Sequence, residues 1–320
     1  MTFTQIRSFC TVARTGSVTA AARVLGVSEP AVSAAIASLR RELSDDLLVR
    51  VPGGVGLTPG GERLAAVGAE ILGLADRLPR EVGEARGERG LLRLAVAPRI
   101  AEYVSAPLLD AFTRRWPTLE VAQEVVGPDA FATLLFDRRA DVTLGPVAAP
   151  PVGVEAVPFL RYKLVAVAAP RHRLAGVRDV PLTALAGDRW LVGPEAADLW
   201  AYFASRGVAA PEQGAFATEA AAQAAAAAGE GVTLAMAHTV IDALRHGRLV
   251  RLDVRGTPRD GLWHAATLPP ERRSAVADAL RRFVTTPDAT QAIVARPGGV
   301  PAGRFRPPVS VTIWNALEHG

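Results

Sequence analysis

The hydrophobic positions between residues 17 and 43 predict two short helices joined by a tight turn. On the second helix one apolar stripe recurs at i, i+3, i+4, i+7 and i+11, formed by Val32, Ala35, Ile36, Leu39 and Leu43. Gly26 lies where the turn needs a positive φ, four residues after Ala22, a small residue that lets the helices approach closely. Ser28 suits the N-cap of the second helix, and Pro30 costs little in its first turn. The spacing is that of a helix-turn-helix; an αα-hairpin packed inside a larger domain is the alternative.

The sequence on either side of this segment favours the helix-turn-helix. Upstream, apolar residues at helical spacing can cover it: Phe3, Ile6, Phe9 and Ala13. Downstream, residues 47–50 and 55–58 are short apolar runs joined by 51–54, which is typical of a β-hairpin. A helix, a helix-turn-helix and a hairpin together predict a winged module of about 58 residues. In such a module the outward side of the second helix enters the major groove of DNA.

A longer helical pattern follows the wing. Thr58 is a candidate cap, and Pro59 suits the first helical position. Apolar residues then recur at alternating spacings of three and four, as in a coiled coil: Leu64, Val67, Ile71, Leu74 and Leu78. We expect this seam to pair two copies of the chain, and a helix lying on its own domain is the alternative. Pro79 should kink or end the helix, and residues 83–89 form a polar hinge.

From residue 91 onward, short apolar runs alternate with helical segments. Strands are predicted at 91–97, 119–126, 141–145, 162–169, 189–193, 231–236, 249–254 and 262–268. Helices are predicted at 101–115, 129–139, 196–206, 219–228, 239–246 and 271–285. This alternation predicts an α/β domain with mostly parallel sheets. The last thirty residues are rich in Pro, Gly and Arg and predict a disordered tail with a docking strand at 309–313.

Composition and charge agree with a two-domain cytoplasmic protein. The chain has 320 residues and a formal net charge of +4. Residues 1–59 hold six arginines and four acidic residues, so one copy should attract DNA phosphates only modestly. Cys10 is the single cysteine, which excludes an intrachain disulfide and favours a buried structural thiol. No run approaches the ~18 apolar residues of a membrane helix, and Arg7 and Arg14 interrupt any signal segment, so we expect neither export nor a membrane partner.

The order of motifs in the first third of the chain resembles the LysR-type transcriptional regulators. The matching motifs are GSVTAAA at 16–22, VSEPAVS at 27–33 and LTPGG at 57–61, and a looser resemblance continues to about residue 286. Two positions depart from the family pattern: Glu29 stands where Gln is usual, and Ala34 where Arg or Lys is frequent. Since Glu accepts from cytosine N4 but cannot make the bidentate contact of Gln with adenine, we expect a different base preference.

The resemblance implies a mixed α+β and α/β fold. This fold comprises a winged helix-turn-helix at 1–59, a linker and dimerisation helix with its hinge at 60–88, and an effector-binding domain at 89–290, followed by the tail at 291–320. The effector domain would be two-lobed, like periplasmic solute-binding proteins, with lobe I at 91–160 and 266–286 and lobe II at 161–265. The implied DNA-binding residues are Ser17, Thr19, Ser28, Glu29, Pro30, Ser33, Ala34, Arg50 and Thr58.

The resemblance also implies a small-molecule effector between the lobes, near strand C-termini and helix N-termini. The implied effector-binding residues are Ala97, Pro98, Arg99, Ile100, Gly145, Pro146, Thr218 and Glu219. The family usually has Ser or Thr at one or more of positions 97–99, so Arg99 is the polar group here. A guanidinium at a helix N-terminus suits a carboxylate or phosphate, which favours an anionic effector. An arginine on the rim that points to water is the alternative.

These observations predict a homodimer or dimer of dimers that binds an inverted-repeat operator in double-stranded DNA, with RNA polymerase as a further candidate partner. No cofactor is expected. An enzyme with an accessory winged module is one rival, but the five histidines lack metal-ligand spacing and neither GxSxG nor a P-loop occurs, so we assign no catalytic or metal residue. A cytoplasmic small-molecule-binding protein is the other rival, and the winged module argues against it.

Overall fold

The computed structural model describes residues 1–52, 54–85, 90–195, 203–205 and 212–294. The chain divides into two compact units. Unit 1 comprises Met1–Arg93, Thr118–Ala122 and Ala132–Asp141. Unit 2 comprises Leu94–Pro117, Gln123–Phe131 and the described residues from Val142 onward.

Unit 1 has the predicted order of helix, helix-turn-helix, hairpin and long helix. Its elements as far as residue 85 are α1 (Phe3–Thr15), α2 (Val18–Leu25), α3 (Glu29–Leu43), β1 (Leu48–Val51), β2 (Gly54–Leu57) and α4 (Pro59–Ala85). Gly26 ends α2 with a φ of 66°, and the Ser28 side chain accepts a hydrogen bond from the amide of Ala31 at the start of α3. The turn and the cap that the sequence predicts are therefore both confirmed.

The core of the winged module is the apolar stripe of α3 packed on α1 and α2. Val32, Ile36 and Leu39 are buried, as predicted, among Phe9 and Val12 of α1 and the small residues of α2. The prediction is wrong at the end of the stripe, where the side chain of Leu43 is 42% exposed. Its position is the last residue of α3, beyond the part of the helix that α1 and α2 cover.

Pro79 was expected to kink or end the helix; α4 passes through it and continues to Ala85, so the helix does not end there, and the kink stays a prediction. A proline removes one amide donor, and the other hydrogen bonds of this 27-residue helix maintain it on both sides. The predicted hinge is therefore helical as far as Ala85, and residues 86–89 lie outside the described residues.

Short strands alternate with helices from residue 91 onward. The strands are β3 (Leu91–Val96), β4 (Glu120–Val125), β5 (Val142–Pro146), β6 (Glu155–Ala168), β7 (Trp190–Val192), β8 (Gln213–Ala215), β9 (Thr233–Met236), β10 (Val250–Arg251) and β11 (Arg259–Thr267). The helices are α5 (Pro98–Tyr103), α6 (Ser105–Thr113), α7 (Phe131–Phe136), α8 (Glu219–Ala228), α9 (Ile241–Arg245), α10 (Ala275–Phe283) and α11 (Pro287–Val294). Every predicted strand has a counterpart, although β6 begins at Glu155 rather than at residue 162 and β10 covers only Val250–Arg251 of the run predicted at 249–254. Strand β8 was not predicted.

The main sheet is mixed, so the prediction of mostly parallel sheets is wrong. Its strand order is β10, β6, β11, β5, β3, β4, and β9 also pairs with β6. Strands β3 and β5 are parallel, whereas β6 runs antiparallel to β9, β10 and β11, and β11 runs antiparallel to β5. The alternation of strands and helices does not specify the direction of long connecting strands such as β6 and β11.

The second half of β6 is buried on both faces. Ala166 and Ala168 pack into one core cluster with Trp190 and Phe203, while Val165 and Val167 face a second cluster. The Ala-rich helix α8 packs into that second cluster through Ala222, Ala225 and Ala226. The prediction that residues 219–228 form a close-packed helix is confirmed, because alanine lets a helix approach a sheet closely.

Two helix predictions need correction. The helix predicted at 101–115 begins earlier, at Pro98, and is divided at Val104 into α5 and α6. The tail predicted from residue 291 is still helical as far as Val294, as part of α11. Most of the helix predicted at 196–206, and the docking strand at 309–313, lie outside the described residues. Within the described ranges, no single helix is long and apolar enough to cross a membrane.

Candidate DNA-binding surface and effector site

The start of α3 presents a polar surface opposite its buried stripe. Ser28, Glu29, Pro30, Ser33 and Ala34 are all exposed. They occupy the first turns of the helix, where free amides and the positive end of the helix dipole lie. The structure therefore brings together the five predicted DNA-binding residues of this helix on its solvent side.

The other predicted DNA-binding residues lie on α2 and on the wing. Ser17 caps α2 by accepting from the amide of Ala20, and Thr19 is exposed in the first turn of that helix. Arg50 is exposed on β1 of the wing. All three are on elements that flank the start of α3 in sequence.

Thr58, which was assigned both to DNA binding and to the cap of α4, has the capping role. Its hydroxyl donates to the Asp45 carboxylate at 2.7 Å and accepts from the Gly61 amide at 2.9 Å, which caps α4 as predicted. Hydrogen bonds from the Leu47 amide and from Thr58 lower the pKa of Asp45. Arg40, which the sequence did not single out, donates to the carbonyl oxygens of Asp46 and Leu48 and so fixes the start of the wing.

The predicted seam of α4 divides into two parts. Leu64 packs against the winged-module core of Phe9, Leu39 and Leu47, so at this position the alternative of a helix lying on its own domain holds. Further along α4, the side chains of Val67, Leu74 and Leu78 are 54%, 44% and 62% exposed, and Ile71 is half-buried. The exposed apolar residues beyond Leu64 are the part of the seam that a second copy could cover.

The Cys10 thiol lies at the packing surface between α1 and α4. It is half-buried, its Sγ is 3.8 Å from the carbonyl oxygen of Ala65, and burial, assisted by the charge of Asp137, raises its pKa to about 11. A thiol with so high a pKa stays protonated and unreactive near neutral pH. The raised pKa agrees with a structural role, but Cys10 is half-buried rather than buried as predicted.

Adjacent strand ends form the floor of the predicted effector site in unit 2. The Ala97 amide, at the N-cap of α5, donates to the carbonyl oxygen of Leu144 on β5. Gly145 leaves no room for a side chain, because a Cβ there would lie 2.9 Å from Ala97 Cβ and 2.7 Å from the ring of Phe131. Ile100 is fully buried, so its side chain is not exposed at this site.

Arg99 is the charged centre of this site. It is 7% exposed, so the alternative of a rim arginine pointing to water is wrong. Its guanidinium donates to Glu219 at 2.9 Å and to Glu195 at 3.3 Å, and its own amide donates to Glu195 at 2.8 Å. Burial alone would lower the pKa of Arg99, but the two carboxylates outweigh it and the pKa is raised.

A third carboxylate, that of Glu102, caps α8. It accepts from the amides of Glu219 and Ala220 at 2.9 and 2.7 Å, beside the Thr218 side chain, which accepts from the Ala221 amide. Burial, with the charges of Glu195 and Glu102, raises the pKa of Glu219 despite its pairing with Arg99. The amide and guanidinium donors predicted to hold an anion are thus engaged by carboxylates of the chain itself.

The sequence reasoning missed Glu102, Glu195, Tyr103 and Gln223. The amide of Gln223 lies 3.3 Å from the Tyr103 hydroxyl, and burial and the neighbouring Glu102 raise the pKa of that tyrosine. Glu102 lies three residues after Arg99 on the same helix, which was a usable local signal. Glu195 pairs with Arg99 across 96 residues of chain, and no local pattern indicates such a contact. Among the described residues, no His, Cys, Asp and Glu side chains are grouped closely enough to hold a metal ion.

The comparisons with known proteins agree with this geometry. A family model described as "Bacterial regulatory helix-turn-helix protein, lysR family" matches residues 3–62, and one described as "LysR substrate binding domain" matches residues 85–287. An uncharacterized HTH-type transcriptional regulator of Mycobacterium tuberculosis is 39% identical over 325 residues, which is 98% of this chain and 100% of that protein. The RuBisCO operon transcriptional regulator of Allochromatium vinosum is 31% identical, over 88% of this chain and 94% of its own length.

A solved structure supports the fold. The crystal structure of full-length CbnR complexed with its target DNA has a TM-score of 0.56 to this chain at 24% identity. The similarity covers 89% of this chain and 99% of that one.

Proposed function

The chain belongs to the LysR family of transcriptional regulators, with a DNA-binding and an effector-binding domain. On this premise we propose a function for each part of the chain. The winged helix-turn-helix of residues 1–59 binds an inverted-repeat operator. The helix and hinge of residues 60–88 pair two copies, and residues 89–290 bind a small molecule. The chain acts in the cytoplasm, where the chromosome is, and RNA polymerase is a further partner. Its curated relatives are transcriptional regulators rather than enzymes.

DNA recognition is supported above all by the exposed face at the start of α3. Ser28, Glu29, Pro30, Ser33 and Ala34 lie on the side of α3 opposite its buried residues, which are Val32, Ile36 and Leu39. In this proposal Glu29 accepts a hydrogen bond from cytosine N4, while Ser17, Thr19 and Arg50 contact the sugar-phosphate backbone of the DNA. Thr58 contributes indirectly, because its hydroxyl joins Asp45, just before the wing, to the Gly61 amide at the start of α4.

Dimer formation is supported by the exposed apolar residues of α4. Val67, Leu74 and Leu78, with the half-buried Ile71, recur at coiled-coil spacing on one helix. A pair of such helices would bring two winged modules together, so that each reads one half of an inverted repeat. A dimer of dimers would extend the contact along the DNA.

We place the effector between lobe I (91–160 and 266–286) and lobe II (161–265), next to Ala97–Ile100, Gly145–Pro146 and Thr218–Glu219. The effector is an anion that exchanges with the internal carboxylates. Glu195 and Glu219 already bind Arg99, and Glu102 already binds the amides of α8, which marks these donors as suited to carboxylates. A carboxylate or phosphate that replaces Glu195 would alter the contact of α5 with residue 195.

Selection from random duplex DNA by the purified chain tests this function. The proposal predicts enrichment of an inverted repeat whose half-sites are about one helical turn apart, 10–10.5 base pairs. A matched chain in which Glu29, Pro30 and Ser33 are replaced by alanine should lose this enrichment but remain folded. A wild-type chain that enriches no sequence would contradict the proposed function.

A further inference from the structure

A short segment after α7 packs against the linker helix inside unit 1. Gly73 of α4 is buried, and a Cβ at this position would lie 2.6 Å from the carbonyl oxygen of Asp137 and 2.7 Å from Arg138 Cγ. Real Cβ atoms do not approach other atoms so closely, so this contact requires glycine. We call residues 137–139 the docking segment.

Charged groups reinforce the contact on the same side of α4. Arg138 is only 5% exposed, and its guanidinium lies 3.7 Å from the Glu70 carboxylate, three residues before Gly73. Burial raises the pKa of Asp137, while the positive charges of Arg139 and Arg14 oppose the shift. The charge of Asp137 also acts on Cys10. The docking segment therefore contacts α4 at Gly73 and Glu70, and the charge of Asp137 lies near enough to α1 to affect Cys10.

The backbone of the docking segment is fixed rather than loose. Arg138 has a φ of 57°, and the amides of Arg139 and Ala140 both donate to Leu134, which closes the end of α7. Beyond it, the Asp141 carboxylate accepts two hydrogen bonds from the Arg93 guanidinium, at 2.9 and 3.1 Å, and one from the Arg93 amide. A displacement of this segment therefore also involves β3, which contains Arg93, and β5, which begins directly after Asp141.

The residues before and after the docking segment belong to the proposed effector site. Phe131 begins α7, and its ring lies against Gly145 in unit 2. Strand β5 begins at Val142, directly after Asp141, and ends at Pro146. Residues 131–146 thus contact α4 at the docking segment and form the floor of the effector site at Phe131, Gly145 and Pro146.

We propose that the docking segment conveys the state of the effector site to the linker helix. This inference rests on the proposed function, because it assigns a regulatory role to that same site. In the docked state, Arg138 and Asp137 hold α4 at Gly73. A change at Phe131 or Gly145 shifts the equilibrium between docked and released segment, and α4 carries the change to the paired winged modules.

Limited trypsin digestion tests the contact without any ligand. Cleavage after Arg138 and Arg139, followed by mass spectrometry, reports release of the segment. Gly73→Ala should accelerate cleavage at these arginines by about fivefold or more, since fivefold is the lower end of ordinary coupling strengths. Glu70→Gln should accelerate the same cleavage more weakly. The matched control is Glu62→Ala, an exposed position on the same helix. Circular dichroism shows which variants are folded, and Glu70→Gln keeps the test valid if Gly73→Ala does not fold.

Two further measurements test the regulatory role. Arg99→Ala, which removes the cation of the effector site, should also accelerate cleavage at Arg138, with no additional effect in the Gly73→Ala background. On the selected operator, Gly73→Ala should change the DNase I footprint relative to wild type and Glu62→Ala. Unchanged cleavage in both Gly73→Ala and Glu70→Gln would overturn the contact. Insensitivity to Arg99→Ala, or an unchanged footprint, would overturn its regulatory role.

Failure of the proposed function can be distinguished from failure of the docking contact. If the wild-type chain enriched no DNA, the DNA-binding proposal would fail, and with it the regulatory role of the segment. The digestion experiment would still decide whether the docking contact exists.

Discussion

Arg99 of α5 and Glu219 of α8 form a buried ion pair with 2.9 Å between guanidinium and carboxylate. Both belong to the residues that the sequence places at the effector site, 120 residues apart in the chain. Their pairing, together with Glu195 and Glu102, means that the site contains its own anions. An anionic effector at this proposed site would therefore compete with the protein for the same donors.

We expect Arg99→Ala to destabilise the effector domain by about 3 kcal/mol, because it leaves the buried Glu219 carboxylate without its cation. Arg114→Ala, at an exposed position on the same domain, should change the stability by no more than about 0.5 kcal/mol. Urea unfolding of the two variants measures the difference. Equal midpoints would show that the pair contributes nothing to stability.

The raised pKa of Glu219 predicts a pH dependence of stability. Because the folded state holds this proton more tightly than the unfolded state, whose pKa is near 4.5, the stabilising effect is complete below that value. It is lost as the pH rises through the higher pKa of the folded state. Thermal unfolding of wild type and Glu219→Gln between pH 4.5 and 7 should show a steeper loss of stability in the wild type. Parallel curves would contradict the prediction.

Cys10 should be nearly inert to alkylation in the folded protein. With its pKa near 11, the thiolate population at pH 8 is roughly a hundredfold below that of an ordinary cysteine. Iodoacetamide labelling followed by mass spectrometry measures the rate, and the same chain in denaturant is the control. Equal rates in the two states would contradict the buried environment of this thiol.

The exposed part of the α4 seam should control assembly. Ile71→Asp combined with Leu74→Asp would place like charges against each other in a symmetric pair, so we expect a monomer by sedimentation and a loss of operator affinity. Arg63→Ala, exposed on the same helix, should remain dimeric. Leu64→Asp should instead unfold the winged module, since Leu64 packs in its core. A folded double variant that stays dimeric would show that the seam is not the interface.

An anionic effector predicts stabilisation by simple anions of the right shape. A panel of carboxylate and phosphate metabolites should contain one compound that raises the melting temperature of wild type but not of Arg99→Ala, because binding stabilises the native state by RT ln(1 + [L]/Kd). Glu195→Gln should bind that compound more tightly, since a competing internal carboxylate is gone. Release of the compound unchanged would agree with a regulator, and its turnover would indicate an enzyme.

Local sequence signals predicted the winged module well. Gly26, Ser28 and the stripe from Val32 to Leu39 depend on residues a few positions apart, and the structure has each of them where the pattern indicates. The Ala-rich helix α8 follows from propensity alone. Leu64 shows the limit of such a pattern, because spacing identifies an apolar face but not which partner covers it.

The features that local patterns did not predict depend on distant contacts. Glu195 reaches Arg99 from the other half of the domain, and Gly73 is required by Asp137 and Arg138, far along the chain. Strand β6 begins earlier than its apolar run, because its first residues pair with β11. Such contacts arise from the fold as a whole and leave little trace in neighbouring residues.

The base preference of Glu29→Gln tests most directly whether the exposed face of α3 reads DNA. If Glu29 accepts from a cytosine, the variant and the wild type should select operators that differ at one base pair per half-site, by about 1–3 kcal/mol. Arg50→Ala, as the control on the wing, should weaken binding to all sequences without changing the preference. Identical preferences for wild type and Glu29→Gln would contradict the role of this face in DNA recognition.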